Sequence, residues 1–266
     1  MPELDTVEDT LFVPMLGRIY ASEHVPHILN DKKALELKTK LPENIKGQDT
    51  QTQYTFMASA VRSVNMDRYI KDFMNREENG IIVNLGCGLE TTFYRDDDGK
   101  HQWYEIDLPN VINYRKTLLS ESDNDTYLVG DAFNEDWIKT IREKHPTEPI
   151  LITSSGLFYY FEREKVVNLF KMLKNYGSIE IVFDTVNSAG MRQMTKYMDQ
   201  VGHAEANMYF CVDSGEALAY ETETKLLCEE PYYIHINKKG LKFSTKMTMK
   251  VSDSCNMVKM IHMKLA

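Results

Sequence analysis

The sequence predicts a doubly wound α/β fold with a mostly parallel sheet. Short apolar segments alternate with helical ones from residue 79 onwards, glycines follow the first apolar segment, and acids end the second. Such alternation is typical of parallel strands covered by helices on both faces. The 266 residues suffice for one domain with a substantial core. We therefore expect a single domain over 1–266, with a helical extension over 1–78 and the α/β core over 79–266.

The N-terminal extension is predicted to be helical. Residues 11–41 carry short apolar stretches interrupted by Pro14 and Pro26, which predicts short helices joined by turns. Asp31 precedes KKALEL, a pattern typical of an N-cap ahead of a helix. From residue 52 to 73 apolar residues recur every three or four positions, which predicts one or two amphipathic helices.

Five segments of the core are predicted to be strands: GIIVNLG, HQWYEID, TYLVGD, PILITSSG and SIEIVFD. Helical segments such as NEDWIKTIREK and REKVVNLFKMLKNY lie between them. Two later segments, KLLCEEPYYIHI and MVKMIHMKLA, are candidates for strands that complete a seven-stranded sheet at its edge.

Composition excludes several classes of protein. The formal net charge of −9 argues against a phosphate backbone as the main partner, so we expect no nucleic acid. The N-terminal MPELDTVEDT lacks the pattern of a signal peptide, and no apolar run is long enough to span a membrane. The four cysteines are scattered, which predicts neither a metal site nor disulfides and favours a cytoplasmic location.

The glycine-containing turn NLGCGLETT is the first candidate site. Gly86 and Gly88 stand where the backbone must turn sharply and let a ligand come close. The turn lacks the lysine ending of a phosphate-binding Walker loop. It is also an imperfect dinucleotide fingerprint, because Glu90 and Thr91 occupy the region of the third glycine.

Acids at the next strand ends point to a nucleoside. Glu105 and Asp107 end the second strand about 20 residues beyond the glycines, where a carboxylate accepts hydrogen bonds from ribose hydroxyls. Asp131 ends the third strand, where its carboxylate can accept a hydrogen bond from the adenine amine. The neighbouring N–H of Ala132 can contact the adenine ring. Three successive strand ends with suitable groups predict an adenosine site.

The motifs VNLGCGLETTFYR, YEIDLP, GDAFNEDW and SSGLFYYF, in this order, resemble those of the leucine carboxyl methyltransferase family. The chain is most similar to the bacterial branch that includes tetracenomycin polyketide O-methyltransferases. This resemblance implies a Rossmann-like class I fold, S-adenosylmethionine (SAM) as methyl donor and S-adenosylhomocysteine as product. It further implies that the N-terminal segment folds over the active site as a lid and that C-terminal insertions lie on the substrate side.

The resemblance also implies cofactor contacts. Arg62 would pair with the methionyl carboxylate of SAM, for which a guanidinium offers a planar, bidentate match. The glycines would approach the cofactor closely, the end of the second strand would hold the ribose, and the end of the third would hold the adenine. The implied cofactor-binding residues are Arg62, Gly86, Gly88, Asp107, Leu108, Asp131, Ala132 and Ser155.

Ser155 marks a departure from the family pattern. The family commonly has a glutamate before the glycine of the fourth-strand motif, whereas this chain has Ser155 before Gly156. Serine offers a shorter, neutral contact to the amino group of SAM. A SAM-binding module without catalytic activity is therefore one alternative.

No catalytic residue is assigned. A carboxylate acceptor needs no protein base, and the seven histidines are scattered along the chain. Tyr159 and Tyr160 follow the fourth strand and are candidates for lining an acceptor pocket. Arg18 and Tyr20 are candidates from the N-terminal segment, where Arg18 either attracts an acceptor carboxylate or pairs with nearby acids.

The predicted function is a SAM-dependent O-methyltransferase that acts on a carboxylate or hydroxyl of a small, polyketide-like molecule. Methylation of a protein C-terminal carboxylate is an alternative within the family, and the acidic charge argues against its RNA-modifying branch. A nicotinamide-dependent dehydrogenase is an alternative from another class, and the missing third glycine counts against it. The acceptor and the oligomeric state stay open.

Overall fold

A seven-stranded sheet flanked by helices forms the centre of the protein. The structure is a computed structural model and describes residues 11–42, 51–200 and 208–266. The strand order is β3-β2-β1-β4-β5-β7-β6; the first five strands run parallel, and β7 lies antiparallel between β5 and β6. The strands are β1 (Ile81–Leu85), β2 (Gln102–Asp107), β3 (Asp125–Val129), β4 (Ile150–Ser154), β5 (Ile179–Val186), β6 (Lys225–Pro231) and β7 (Val258–Lys264).

Helices cover both faces of the sheet, as the sequence predicted. The longest, of 24 residues, precedes β1 and packs against the helix that opens the described chain. No helix in the described ranges combines the length and apolar character needed to cross a bilayer. The helices are α1 (Phe12–His24), α2 (Lys32–Leu37), α3 (Gln53–Arg76), α4 (Thr92–Asp96), α5 (Pro109–Leu118), α6 (Asp136–Lys144), α7 (Arg163–Leu173), α8 (Ser188–Gln200), α9 (Gly215–Thr222) and α10 (Phe243–Ser254).

The N-terminal helices confirm one part of the prediction and correct another. The Asp31 carboxylate accepts a hydrogen bond from the Ala34 N–H at 2.8 Å, so the predicted N-cap of α2 is present. Pro14, however, does not interrupt α1, which continues through it. The first turn of a helix has no intrahelical acceptor for its N–H groups, so proline is tolerated there.

Five predicted strands are confirmed, and both C-terminal candidates pair with the sheet edge. The segment KLLCEEPYYIHI nevertheless pairs only as far as Pro231. Tyr232 and Tyr233 follow, and both are fully buried. The Tyr232 hydroxyl donates to the Ala58 carbonyl of α3 at 2.9 Å, so the chain beyond Pro231 packs against α3 and no longer pairs with β7.

Aromatic rings fill the core on one side of the sheet. Phe183 of β5 lies 5.4 Å from Phe158 and 5.6 Å from Phe170 between ring centroids, and all three side chains are buried. Phe210 adds a fourth ring 6.3 Å from Phe183. Phe158 belongs to the segment that follows β4, so the packing of this cluster supports that segment.

We expect Phe183→Ala to lower the free energy of unfolding by ~3–5 kcal/mol, because it leaves a cavity among three rings. Phe243→Ala is the matched control, since the Phe243 side chain is 79% exposed and its loss should change stability by less than ~0.5 kcal/mol. Urea unfolding of both variants measures the difference. Equal losses would show that Phe183 does not anchor the core.

Candidate active site

A cavity of about 300 Å³ lies at the carboxyl ends of β1 to β4. Strand order reverses between β1 and β4, and loops that diverge from such a point leave a crevice for ligands. Leu11 and Pro14, at the start of α1, border the cavity from the opposite side. The predicted site residues that border it are Arg18, Arg62, Gly86, Gly88, Asp107, Leu108, Asp131, Ala132, Ser155, Tyr159 and Tyr160.

The glycine loop has the backbone geometry that its sequence predicted. Gly86 and Gly88 have φ angles of 69° and 47°, in the left-handed region that glycine adopts without steric cost. A Cβ atom on Gly86 would lie 2.9 Å from the Leu157 side chain, and one on Gly88 would lie 2.8 Å from Leu11. Glycine at these two positions therefore lets Leu157 and Leu11, which also border the cavity, pack directly against the loop backbone.

The two acids at the end of β2 have different surroundings. Asp107 borders the cavity, and its carboxylate accepts hydrogen bonds from the N–H groups of Gly88 and Leu108, both at 2.8 Å. Glu105 is fully buried and accepts from the Asn84 amide at 2.9 Å. Of the two, Asp107 is thus the acid that a ligand can reach.

The loop after β3 contributes an exposed acid. Asp131 borders the cavity, and its carboxylate accepts from the Phe133 N–H at 2.9 Å. The carbonyl of Ala132 accepts from the Trp137 indole at 3.2 Å, which holds the turn against α6. Asp131 and Asp107 therefore border one cavity from neighbouring strand ends.

Arg62 reaches the cavity from α3 and binds an acid that the sequence reasoning missed. Its Nε donates to the Asp184 carboxylate at 2.8 Å. The same carboxylate accepts from the Gly156 N–H at 2.7 Å and from the Tyr159 hydroxyl at 2.9 Å. Burial disfavours the charged guanidinium, but the negative charge of Asp184 outweighs it, so the pKa of Arg62 is raised. The available signal was an aspartate within the otherwise apolar IVFDTV of β5.

The residues after β4 border the cavity without adding a charge. Ser155 is partly exposed there, and Tyr160 lies beside it with a partly exposed ring. Tyr159 is 3% exposed and donates its hydroxyl to Asp184. Tyr159 therefore supports the site through Asp184, and Tyr160 presents an aromatic surface to the cavity.

Arg18 and Tyr20, the two candidate acceptor-binding residues of the N-terminal segment, lie in different surroundings. Arg18 is 1% exposed, and its guanidinium donates to the Glu90 carboxylate at 2.8 Å and to the Leu89 carbonyl at 2.7 Å. The structure thus shows the ion-pair alternative for Arg18. Tyr20 lies outside the cavity lining, because its ring stacks on Phe56 at 4.8 Å on the other side of α1. Neither contact supports an acceptor-binding role, so that role stays a prediction.

Glu90 follows the glycine loop and holds three helices to it. Its carboxylate accepts from Arg18 of α1, from the Ser63 hydroxyl of α3 at 3.2 Å and from Arg95 of α4 at 3.2 Å. Burial raises the pKa of Glu90, but Arg18 and Arg95 overcome this effect and lower it to about 2. The carboxylate is therefore ionised at any physiological pH.

Charged groups and glycines shape the site, and no histidine is among the described residues that border it. His101, His145 and His262 lie elsewhere, against Asp98, Tyr104 and Glu180 respectively. Among the described residues, no group of acids, cysteines and histidines is arranged to hold a metal ion. The geometry suits binding of an adenosine-containing ligand with a carboxylate and displacement chemistry that needs no protein base.

Comparison with known proteins gives one family match and several relatives. The model of the leucine carboxyl methyltransferase family matches residues 8–174. The O-methyltransferase TcmP of tetracenomycin polyketide synthesis from Streptomyces glaucescens is 24% identical over 69% of this chain and 67% of its own length. The SAM-dependent methyltransferase dpfgK from Gibberella zeae is also 24% identical, over 65% of this chain and 62% of its own. The matches thus span about two thirds of each relative.

A solved structure supports the fold. Magnesium protoporphyrin IX methyltransferase from Synechocystis, with S-adenosylhomocysteine bound, superposes with a TM-score of 0.52 at 7% identity. The superposition covers 91% of this chain and 99% of that one. The mixed seven-stranded sheet is therefore that of class I methyltransferases, as the sequence motifs implied.

The lowered pKa of Glu90 predicts how stability depends on pH. The folded-state pKa of about 2 lies below the ordinary 4.5, so Glu90 stabilises the fold above pH 4.5 and loses this contribution as pH falls toward 2. This lowering of the pKa corresponds to about 3 kcal/mol in the free energy of unfolding at neutral pH.

Urea unfolding of the wild type and Glu90→Gln should show a stability gap at pH 7 that narrows at pH 3. Glu36→Gln, at an exposed ion pair, is the control and should match the wild type at both values. A gap for Glu90→Gln that does not change with pH would contradict this assignment.

Proposed function

The chain belongs to the leucine carboxyl methyltransferase family, and we propose that it methylates a carboxylate or hydroxyl oxygen of a small organic acceptor with SAM as donor. The observation that carries the proposal is the convergence of Arg62, the glycine loop, Asp107 and Asp131 on one cavity. These groups match the charged and polar parts of SAM in kind.

The methionyl end of SAM would lie between Arg62 and the glycine loop. A guanidinium and a carboxylate form paired, charge-assisted hydrogen bonds, which are stronger than those between neutral groups. The left-handed backbone of Gly86 and Gly88 lets the chain approach without side-chain interference. Ser155 would offer a neutral contact near the amino group.

The adenosine end would lie along the ends of β2 and β3. The carboxylate of Asp107 would accept from ribose hydroxyls, and Leu108 would cover the sugar with its exposed side chain. Asp131 would accept from the adenine amine, with Ala132 against the ring edge. Each of these residues borders the cavity, which supports assigning the whole nucleoside to it.

SAM supplies an electrophilic methyl group on a sulfonium sulfur, so the chain mainly has to align the acceptor and exclude water. Leu11 and Leu157 pack against the two loop glycines and would keep water from that wall of the cavity. Tyr160 and Met194 border the cavity and would present an apolar surface to the acceptor. An acceptor carboxylate would attack in its ionised form, which agrees with a cavity lining that lacks histidine among the described residues.

A small acceptor and a cytoplasmic reaction are part of the same proposal. The relative TcmP acts in polyketide synthesis by its name, and it is 24% identical to this chain over 69% of the chain. All four cysteines are free thiols in the structure, which suits a reducing compartment. A protein C-terminal carboxylate is the alternative acceptor, and assays with a peptide acid and with small aromatic acids and phenols separate the two.

We expect calorimetric titration to show binding of SAM and S-adenosylhomocysteine and no binding of NAD. Asp107→Ala should weaken the first two by about 10–100-fold, because charged hydrogen bonds to the ribose contribute about 1.5–3 kcal/mol. Asp123→Ala removes an exposed acid near β3 and should bind as the wild type does. Absence of SAM binding in the wild type, or preference for NAD, would overturn the proposed function.

A further inference from the structure

Asp184 is a buried carboxylate with an unusual number of donors. It lies in β5, all of whose residues are buried, and is itself 3% exposed. An ionised carboxylate is costly to bury unless charges or hydrogen bonds compensate it. Here three donors do so: Arg62 of α3 and, from the segment after β4, the Gly156 N–H and the Tyr159 hydroxyl. Both carboxylate oxygens are engaged.

These contacts determine where the Arg62 guanidinium lies. Asp184 holds its Nε at 2.8 Å, and the guanidinium lies so close over Gly156 that a Cβ there would be 2.5 Å from Nη1. The Arg62 side chain keeps 19% exposure and borders the cavity. Arginine has many rotamers of similar energy, so the ion pair, and not α3 alone, selects this one.

The ion pair of Arg62 and Asp184 also leaves this part of the site without net charge. A lone guanidinium in this partly buried position would favour any anion, whereas Arg62 and Asp184 together are neutral. The amino-acid end of SAM is itself a neutral zwitterion, with one carboxylate and one ammonium group. A fixed arginine–aspartate pair is therefore complementary to it in charge and in orientation.

We propose that Asp184 is a positioning residue, which orients Arg62 and the loop after β4 to receive the amino-acid end of the cofactor. This inference rests on the proposed function. Asp184 does not itself border the cavity, and its effect passes through Arg62 and Gly156, which do. Its loss should weaken recognition of the amino-acid part and leave recognition of the adenosine part intact.

The test compares two probes that differ only at the amino-acid end. S-adenosylhomocysteine contains it, and 5′-methylthioadenosine lacks it. In Asp184→Asn the amide NH₂ must face either Arg62 or Gly156, both donors, so one of these contacts is lost and the charge of Arg62 is no longer balanced. We expect at least about tenfold weaker binding of S-adenosylhomocysteine and less than about twofold change for methylthioadenosine. Under turnover, KM for SAM should rise more than kcat falls.

Glu180→Gln is the matched control, because Glu180 is a buried carboxylate of the same strand that pairs with Arg76 and His262. It should lower thermal stability comparably and leave both affinities unchanged. Asp184→Glu is the second variant and should give an intermediate loss, since a longer side chain cannot keep both contacts. Arg62→Lys should reproduce the selective loss, and adding Asp184→Asn to it should have little further effect.

The outcomes separate the two proposals. A wild type that binds neither probe overturns the proposed function itself. A wild type that binds both, with Asp184→Asn and Asp184→Glu binding S-adenosylhomocysteine equally well, overturns the role of Asp184. Equal weakening of both probes in these variants also overturns it, because a general structural defect would then explain the loss.

Discussion

The ionised carboxylate of Glu90 is the interaction on which the arrangement of the site depends. It follows the glycine loop directly and binds Arg18, Ser63 and Arg95, which come from three helices. Since this carboxylate is buried, its charge depends on Arg18 and Arg95 for compensation in a low-dielectric region. The N-terminal helices are thereby joined to the loop that borders the cavity, and α1 lies across the strand ends.

A second buried ion pair, between Arg115 and Glu105, supports the same loop. Arg115 of α5 is fully buried, lies 3.3 Å from the Glu105 carboxylate, and donates to the carbonyls of Gly88 and Glu90. Burial lowers the pKa of Arg115, but the negative charge of Glu105 outweighs this effect and raises it, so the guanidinium stays charged. The loop carbonyls therefore point toward α5, and the N–H of Gly88 points toward Asp107. The two acids of β2 therefore have different roles: Glu105 pairs with the arginine that holds the loop, and Asp107 borders the cavity.

The site itself follows from strand order. β1 and β4 are neighbours in the sheet, while their helices return on opposite faces, so the loops after them separate and leave the cavity. Residues distant in sequence meet there because parallel strands end at one edge. Arg62 and Asp184, 122 positions apart, form their ion pair at this edge. Ser155 in the loop after β4 is neutral. The same loop nevertheless contacts a negative charge, because the Gly156 N–H donates to the Asp184 carboxylate.

The fold class, the five parallel strands, the glycine loop and the acids at the ends of β2 and β3 could be predicted from sequence alone. These features depend on local periodicity, on backbone conformations open to glycine, and on the rule that strand ends share one edge. Tertiary structure alone decided which polar groups face the cavity. Glu105 and Asp107 are both acids and lie two positions apart in β2, yet Glu105 is buried against Arg115 while Asp107 borders the cavity. Arg18 pairs with Glu90, and Arg62 pairs with Asp184, because a buried charge requires a partner of opposite charge. These partners are distant in sequence, so no local sequence pattern predicts them.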